Sequence, residues 1–219
     1  MQTSRLTDEM VEQSKKLLDL LGLPWVQAPA EGEAQASAMA RAGIAYAAAS
    51  QDFDSLLFGS PRLVKNLAIS GRRKLPRKDV YVDVQPEEIS LEATLASLGL
   101  TREQLVDVGL LIGTDFNEGV KGIGPKKALA LIKKHGALES ALAELGVDIE
   151  SKEEVRGIFL HPKVIEDVGI EFRDPDTEGV RRMLCDEHDF SRDRIDAALE
   201  KFGSARSEQK QRSLDSWFA

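Results

Sequence analysis

The chain has 219 residues, 42% of them hydrophobic, enough to bury a real core and to form one large domain with a satellite. A formal charge of -8 and a pI of about 5.1 speak against a nucleic-acid binder if that charge is spread evenly. Cys185 is alone, no apolar run approaches the roughly 20 residues of a membrane span, and the first ten residues lack the apolar core of a signal peptide. Disulfide scaffolds and helical membrane proteins are thereby set aside, and a reducing cytosolic or nuclear compartment is expected.

Thr7 followed by Asp8 and Glu9 reads as a helix cap with acids in the first turn, and Met10, Val11, Leu17, Leu18 and Leu21 give a helical stripe that stops at Gly22 and Pro24. Trp25 to Ala28 reads as a short buried strand. Glu31-Gly32-Glu33 opens an alanine-rich helix to about Ala42, and Ile44 to Ser50 is a second apolar strand with Asp52 and Asp54 past its end. Leu63 to Ile69 and Tyr81 to Val84 read as strands around a basic loop at Gly71. After Pro86 the pattern turns helical, over Leu91–Leu98, Arg102–Ile112, Pro125–His135, Leu138–Leu145 and Arg192–Phe202. The polar run Ser204 to Ser213 is expected to be disordered. Strand–helix alternation followed by helices predicts an α/β fold with a parallel core and a helical second part.

The charge is not spread evenly. Arg62, Lys65, Arg72, Arg73, Lys74, Arg77 and Lys78 lie in a stretch without an acid, as do Lys121, Lys126, Lys127, Lys133 and Lys134. Such blocks form either a phosphate-binding surface or plain solvated faces. Acids gather instead at Glu31 and Glu33, Asp52 and Asp54, and Asp115. An Asp-x-Asp in extended chain turns both carboxylates to one side and Phe53 into the core, and parallel sheets hold ligands at the carboxyl ends of their strands. The same residues also suit helix caps and surface turns, and Asp115 suits a loop cap. Clustered carboxylates without His or Cys favour hard divalent cations over zinc. His135, His161 and His188 lack ligand spacing.

Gly119 to Ala128, with Gly122-Ile123-Gly124-Pro125-Lys126-Lys127 at its centre, has the form of a helix–hairpin–helix turn. Its glycines allow a tight bend, Pro125 suits the first helical position, and N–H groups with Lys126 and Lys127 face a phosphate. A plain helix-capping turn uses the same residues.

These stretches together resemble the structure-specific 5′ nuclease (XPG) superfamily, and within it the flap endonucleases of archaeal type. The match runs through Gln27 to Gln35, Ala47 to Gly59, Leu111 to Asp115, Gly119 to Ala128 and the tail. The resemblance implies a PIN-like nuclease fold in which Glu31, Glu33, Asp52, Asp54 and Asp115 serve two Mg²⁺ ions. It implies that Gly122, Gly124, Lys126 and Lys127 grip duplex DNA in a helix–two-turn–helix element able to hold K⁺. It further implies that Gln211, Leu214, Trp217 and Phe218 bind the sliding clamp PCNA. Ala30 departs from the serine frequent before the first acid. The family also begins well upstream, with two further aspartates and a helical arch, so the chain looks like the C-terminal part of such an enzyme.

The expected organisation is a nuclease part over residues 1–85, a helical DNA-binding part over 86–203 and a clamp-binding tail over 204–219. The expected activity is Mg²⁺-dependent cleavage of 5′ flaps and 5′–3′ exonuclease action, by a monomer in DNA replication and repair. One rival is a clamp-tethered binder of branched DNA without nuclease activity, which has no use for carboxylates beside phosphate. Another is a four-way-junction resolvase, which the short tail and clamp motif disfavour.

Overall fold

The computed structural model describes residues 6–68, 71–74 and 80–215, the side chains of 72–74 and 208–215 excepted. Trp217 and Phe218 of the clamp motif lie outside the described residues, as do Arg77 and Lys78. The side chains of Gln211 and Leu214 lie outside them too.

Two compact units form, Gln27–Val168 and Met1–Val26 with Gly169–Ala219. The boundary expected at Pro86 falls inside the first of these, so the small sheet and the helices that follow it share one unit.

In the unit formed by the chain ends, helix α1 (Asp8–Leu20) starts where its cap predicts. The Thr7 hydroxyl accepts the Met10 N–H at 3.3 Å, with Asp8 and Glu9 in the first turn. The predicted strand at Trp25 to Ala28 is absent. Trp25 is instead half exposed, donating Nε1–H to Asp19 Oδ1 at 3.0 Å beneath the Lys15 ammonium. An apolar run here serves one polar-edged aromatic contact rather than a sheet.

The larger unit opens with α2 (Gly32–Arg41), β1 (Ala48–Ala49), α3 (Asp54–Leu57) and β2 (Arg62–Lys65). β3 (Gly71–Lys74), β4 (Tyr81–Val84) and β5 (Glu87–Ser90) follow. β2 runs between β1, parallel in the register Ala48↔Leu63, and β5, antiparallel in the register Leu63↔Ile89. β3 and β4 form a separate antiparallel pair. The parallel core expected from the sequence is thus one short pair among the described residues, and the sheet is mixed. The strand predicted over Ile44 to Ser50 shrinks to two residues, and the basic segment at Gly71 enters a strand, not a loop. β5 was not predicted, since Glu87 and Glu88 follow Pro86, where the sequence pattern turns helical.

The helices α4 (Leu91–Leu98), α5 (Arg102–Ile112), α6 (Pro125–His135) and α7 (Leu138–Leu145) stand as predicted. A Thr101–Gln104 capping box starts α5. α5 is the spine of the core: Val106, Leu110 and Leu111 are fully buried against Ala128 and Ile132 of α6 and Leu138 and Ala141 of α7. An unpredicted helix, α8 (Lys152–Leu160), closes this core. Its Phe159 packs 4.9 Å from the Phe58 ring and edge-on to Phe116 at 5.5 Å, each buried ring contributing about 1.5–3 kcal/mol.

Back in the unit of the chain ends, α9 (Thr177–Arg181) continues as a π-helical stretch, Arg182–Glu187, neither of them predicted. α10 (Arg192–Asp215) then runs on through Ser204 to Ser213. The run expected to be disordered takes a helical backbone here, since glutamate, lysine, arginine and alanine are good helix formers.

Candidate active site and nucleic-acid interface

Four short elements of the Gln27–Val168 unit deliver the acids. Glu31 is the N-cap of α2 and Glu33 lies in its first turn, Asp52 follows β1, Asp54 begins α3, and Asp115 sits in the turn after α5. Phe53 is helical in backbone (φ -95°, ψ -1°), so the Asp52–Asp54 pair is brought together by a tight turn and not by an extended strand. The ring is 56% exposed with Lys65 Nζ 3.6 Å from its centroid, which corrects the expectation that Phe53 points into the core. A cation stacked on its face holds the ring outside.

Asp54 feels the charge of the other four acids. Burial pushes its carboxyl above the ordinary aspartate value, and the charges of Glu33, Asp115, Asp52 and Glu31 push it in the same direction. The other four predicted acids are therefore within electrostatic reach of one half-buried carboxyl. Among the described residues, no three of them close on a single point as a finished metal cage would. The donor set still fits hard divalent cations: oxygen ligands only, and an excess of negative charge that a dication at Asp54 would relieve.

Ser50 and Ser55, which flank the Asp52–Asp54 pair, are not among the residues to which the sequence points. Ser55 Oγ donates to Glu33 Oε2 at 2.8 Å, Ser50 Oγ donates to Glu33 Oε1, and the Asp52 N–H donates to Ser50 Oγ at 3.1 Å. The signal was present as a serine on each side of the Asp-x-Asp. Beside Glu31, a cleft of about 520 Å³ is lined by Ala30, Ala34, Phe58, Phe116, Ile158 and His161. Of the other histidines, His135 pairs with Glu144 at 2.6 Å.

The connection from α5 to α6 is folded tightly. Asn117 Nδ2 donates to Leu110 O at 2.8 Å, and the Val120 N–H to Leu111 O at 2.9 Å. Gly119 runs so close to α5 that a Cβ there would stand 2.4 Å from the Ile112 carbonyl. Gly122 has φ +81°, a conformation that glycine adopts freely, while Gly124 is extended and serves as the uncapped N-terminus of α6 before Pro125. Ile123 packs on the core, which leaves Gly122, Gly124, Lys126 and Lys127 exposed together. Lys127 Nζ donates to Gly122 O at 3.2 Å. The result is a helix N-terminus with free N–H groups and two ammonium groups, a surface suited to phosphate.

Residues 22–115, which include all five acids, match the family described as XPG I-region. By sequence the chain is similar to archaeal flap endonuclease 1. It is 55% identical to that of Archaeoglobus fulgidus over 98% of this chain and 63% of the relative, and 55% identical to that of Aeropyrum pernix over 100% of this chain and 64% of the relative. The chain thus spans less than two thirds of the relatives it matches. The solved flap endonuclease-1 from Methanococcus jannaschii superposes with a TM-score of 0.79 at 38% identity, over 93% of this chain and 60% of that one. The catalytic core of Rad2 in complex with DNA substrate gives a TM-score of 0.74 at 21% identity, over 91% of this chain and 71% of that one, a likeness of fold.

Proposed function

We propose that this chain supplies the acidic centre and the duplex-gripping turn of a Mg²⁺-dependent flap endonuclease and 5′–3′ exonuclease acting in DNA replication and repair. The observation that carries this reading is the delivery of Glu31, Glu33, Asp52, Asp54 and Asp115 by four segments of one unit, with Asp54 feeling the charge of the other four, in a fold shared with flap endonuclease 1. Two divalent cations held by these five residues would supply Lewis-acid polarisation of the phosphate and stabilise charge on the leaving oxygen. Asp54 and Glu33 are partly buried, while Glu31, Asp52 and Asp115 are exposed and able to take up ions from solution. The Gly122–Gly124 turn with Lys126 and Lys127 holds duplex phosphate without reading sequence, in a helix–two-turn–helix element that takes up K⁺. Gln211, Leu214, Trp217 and Phe218 tether the enzyme, as a monomer, to the PCNA clamp in a nuclear or cytoplasmic compartment.

The test separates cleavage from binding. Asp52→Asn and Asp115→Asn are expected to lower flap cleavage by about 100-fold or more, the scale of removing one electrostatic partner from a reacting group. Binding to the same flap in Ca²⁺ should persist, because removing a negative charge also relieves repulsion of the phosphate. Cleavage rates and gel-shift affinities on flap, unbranched duplex and four-way junction provide the comparison. Undiminished cleavage by both variants would sink the assignment, and preferential cutting of the junction would make the protein a resolvase.

A further inference from the structure

Both carboxylate oxygens of Glu33 are taken by hydroxyls. Ser50 donates to one and Ser55 to the other, the latter at 2.8 Å. Neither serine is an isolated surface group. Ser55 is fully buried directly after Asp54, and its carbonyl accepts the Ser37 hydroxyl of α2 at 3.2 Å and the Ser60 N–H at 2.8 Å. Ser50 is anchored to β2 by its N–H, which reaches Val64 O at 3.2 Å, and its hydroxyl receives the Asp52 N–H. Three segments that each carry acids, the start of α2, the turn after β1 and the start of α3, are therefore tied through Glu33.

A carboxylate oxygen that accepts one hydroxyl hydrogen bond keeps a lone pair on its other side. Two such bonds fix the plane of the carboxylate, so the remaining lone pairs face a set direction. We propose that Ser50 and Ser55 are positioning residues for cation capture, holding Glu33 in register with Asp52 and Asp54 so that α2 and α3 present one set of ligands. The proposal rests on the metal-dependent reading above. Groups that orient a ligand from behind set cation affinity, typically by about 10–100-fold.

Mn²⁺ alone serves as the probe, titrated into the parent, Ser50→Ala, Ser55→Ala, the double alanine variant and Ser50→Thr, with free Mn²⁺ read by its paramagnetic resonance signal. The concentration of Mg²⁺ that half-saturates flap cleavage is measured beside it. Each alanine is expected to raise half-saturating metal by about tenfold, with the rate at saturating metal remaining near the parent's. Ser50→Thr, which keeps the hydroxyl, should titrate like the parent. A purely structural role would lower the melting temperature and leave both metal midpoints in place, which would overturn the proposal. Should Ser55→Ala fail to fold, the less buried Ser50→Ala carries the same expectation alone. A parent that binds Mn²⁺ beside a double variant with an unchanged midpoint would remove the serines and spare the metal reading. A parent that binds no Mn²⁺ would remove both.

Discussion

Asp107, on α5, is 1% exposed and faces Arg156 of α8, whose Nε lies 2.9 Å from Oδ1 without hydrogen-bond geometry and whose Nη2 donates to Oδ2 at 3.3 Å. Burial pushes its carboxyl from 3.8 up to about 6, against the pull of Arg156 and of the Leu138 N–H and with a further push from Glu139. Desolvation therefore outweighs the partner. The folded protein holds this proton more tightly than the unfolded chain does, so the contribution to stability is full below about pH 4 and lost as pH rises through about 6. Arg156→Met is expected to cost about 1 kcal/mol more near neutral pH, where the unpaired carboxyl must take up a proton, than below about pH 5, where it is already neutral. Urea unfolding of parent and variant at both pH values would check this. An equal loss at both would mean that Arg156 stabilises by packing and not by charge.

At the scale of elements, the α5–α6 turn joins local sequence to function. Lys126 and Lys127 stand exposed at an uncapped helix start, so changing both to alanine should weaken binding about equally on unrelated duplex sequences. It should also flatten the plot of log affinity against log salt by roughly 0.9 for each phosphate that the variant no longer neutralises. An unchanged slope would return the turn to a simple capping role. This turn, like α1, α2 and α4 to α7, was legible in the sequence because caps, glycines and a helical stripe all agree there. Elements held by tertiary contacts alone were not. β5 is built on Glu87 and Glu88, whose backbone pairs with β2 whatever their side chains, and β1 keeps only Ala48 and Ala49 of a longer apolar run. α8 was hidden because its inward face depends on only two buried positions, Val155 and Phe159, in a segment rich in charge. All five candidate acids were legible as clusters, yet the local geometry around Asp54 was not. An Asp-x-Asp after an apolar run reads as extended chain, whereas Lys65 draws Phe53 outward and a helical turn begins at Asp54. The serines that hold Glu33 carry no periodic signal at all.

For the molecule as a whole, the segment from 211 to 219 should act as a tether and not as part of the catalytic apparatus. Deleting it is expected to abolish PCNA binding and PCNA-stimulated cleavage while leaving unstimulated cleavage near the parent's, because a tether acts by raising local concentration. Calorimetry with the clamp would decide, and equal affinity with and without the segment would assign the interaction to another surface. The chain spans 63–64% of the length of these flap endonuclease 1 relatives. The connection between α5 and α6 bears Asp115 near its beginning and the Gly122 turn near its end, and its hydrogen bonds to Leu110 and Leu111 keep it from stretching. Under the proposed reading, that stretch of backbone works as a ruler. On that reading the span from Asp115 to Gly122, rather than any base in the DNA, would set how many nucleotides separate the held phosphate from the broken bond. Lengthening that span by inserted residues is then expected to relocate the cut without changing which DNA is chosen, and sizing the cleavage product would check it.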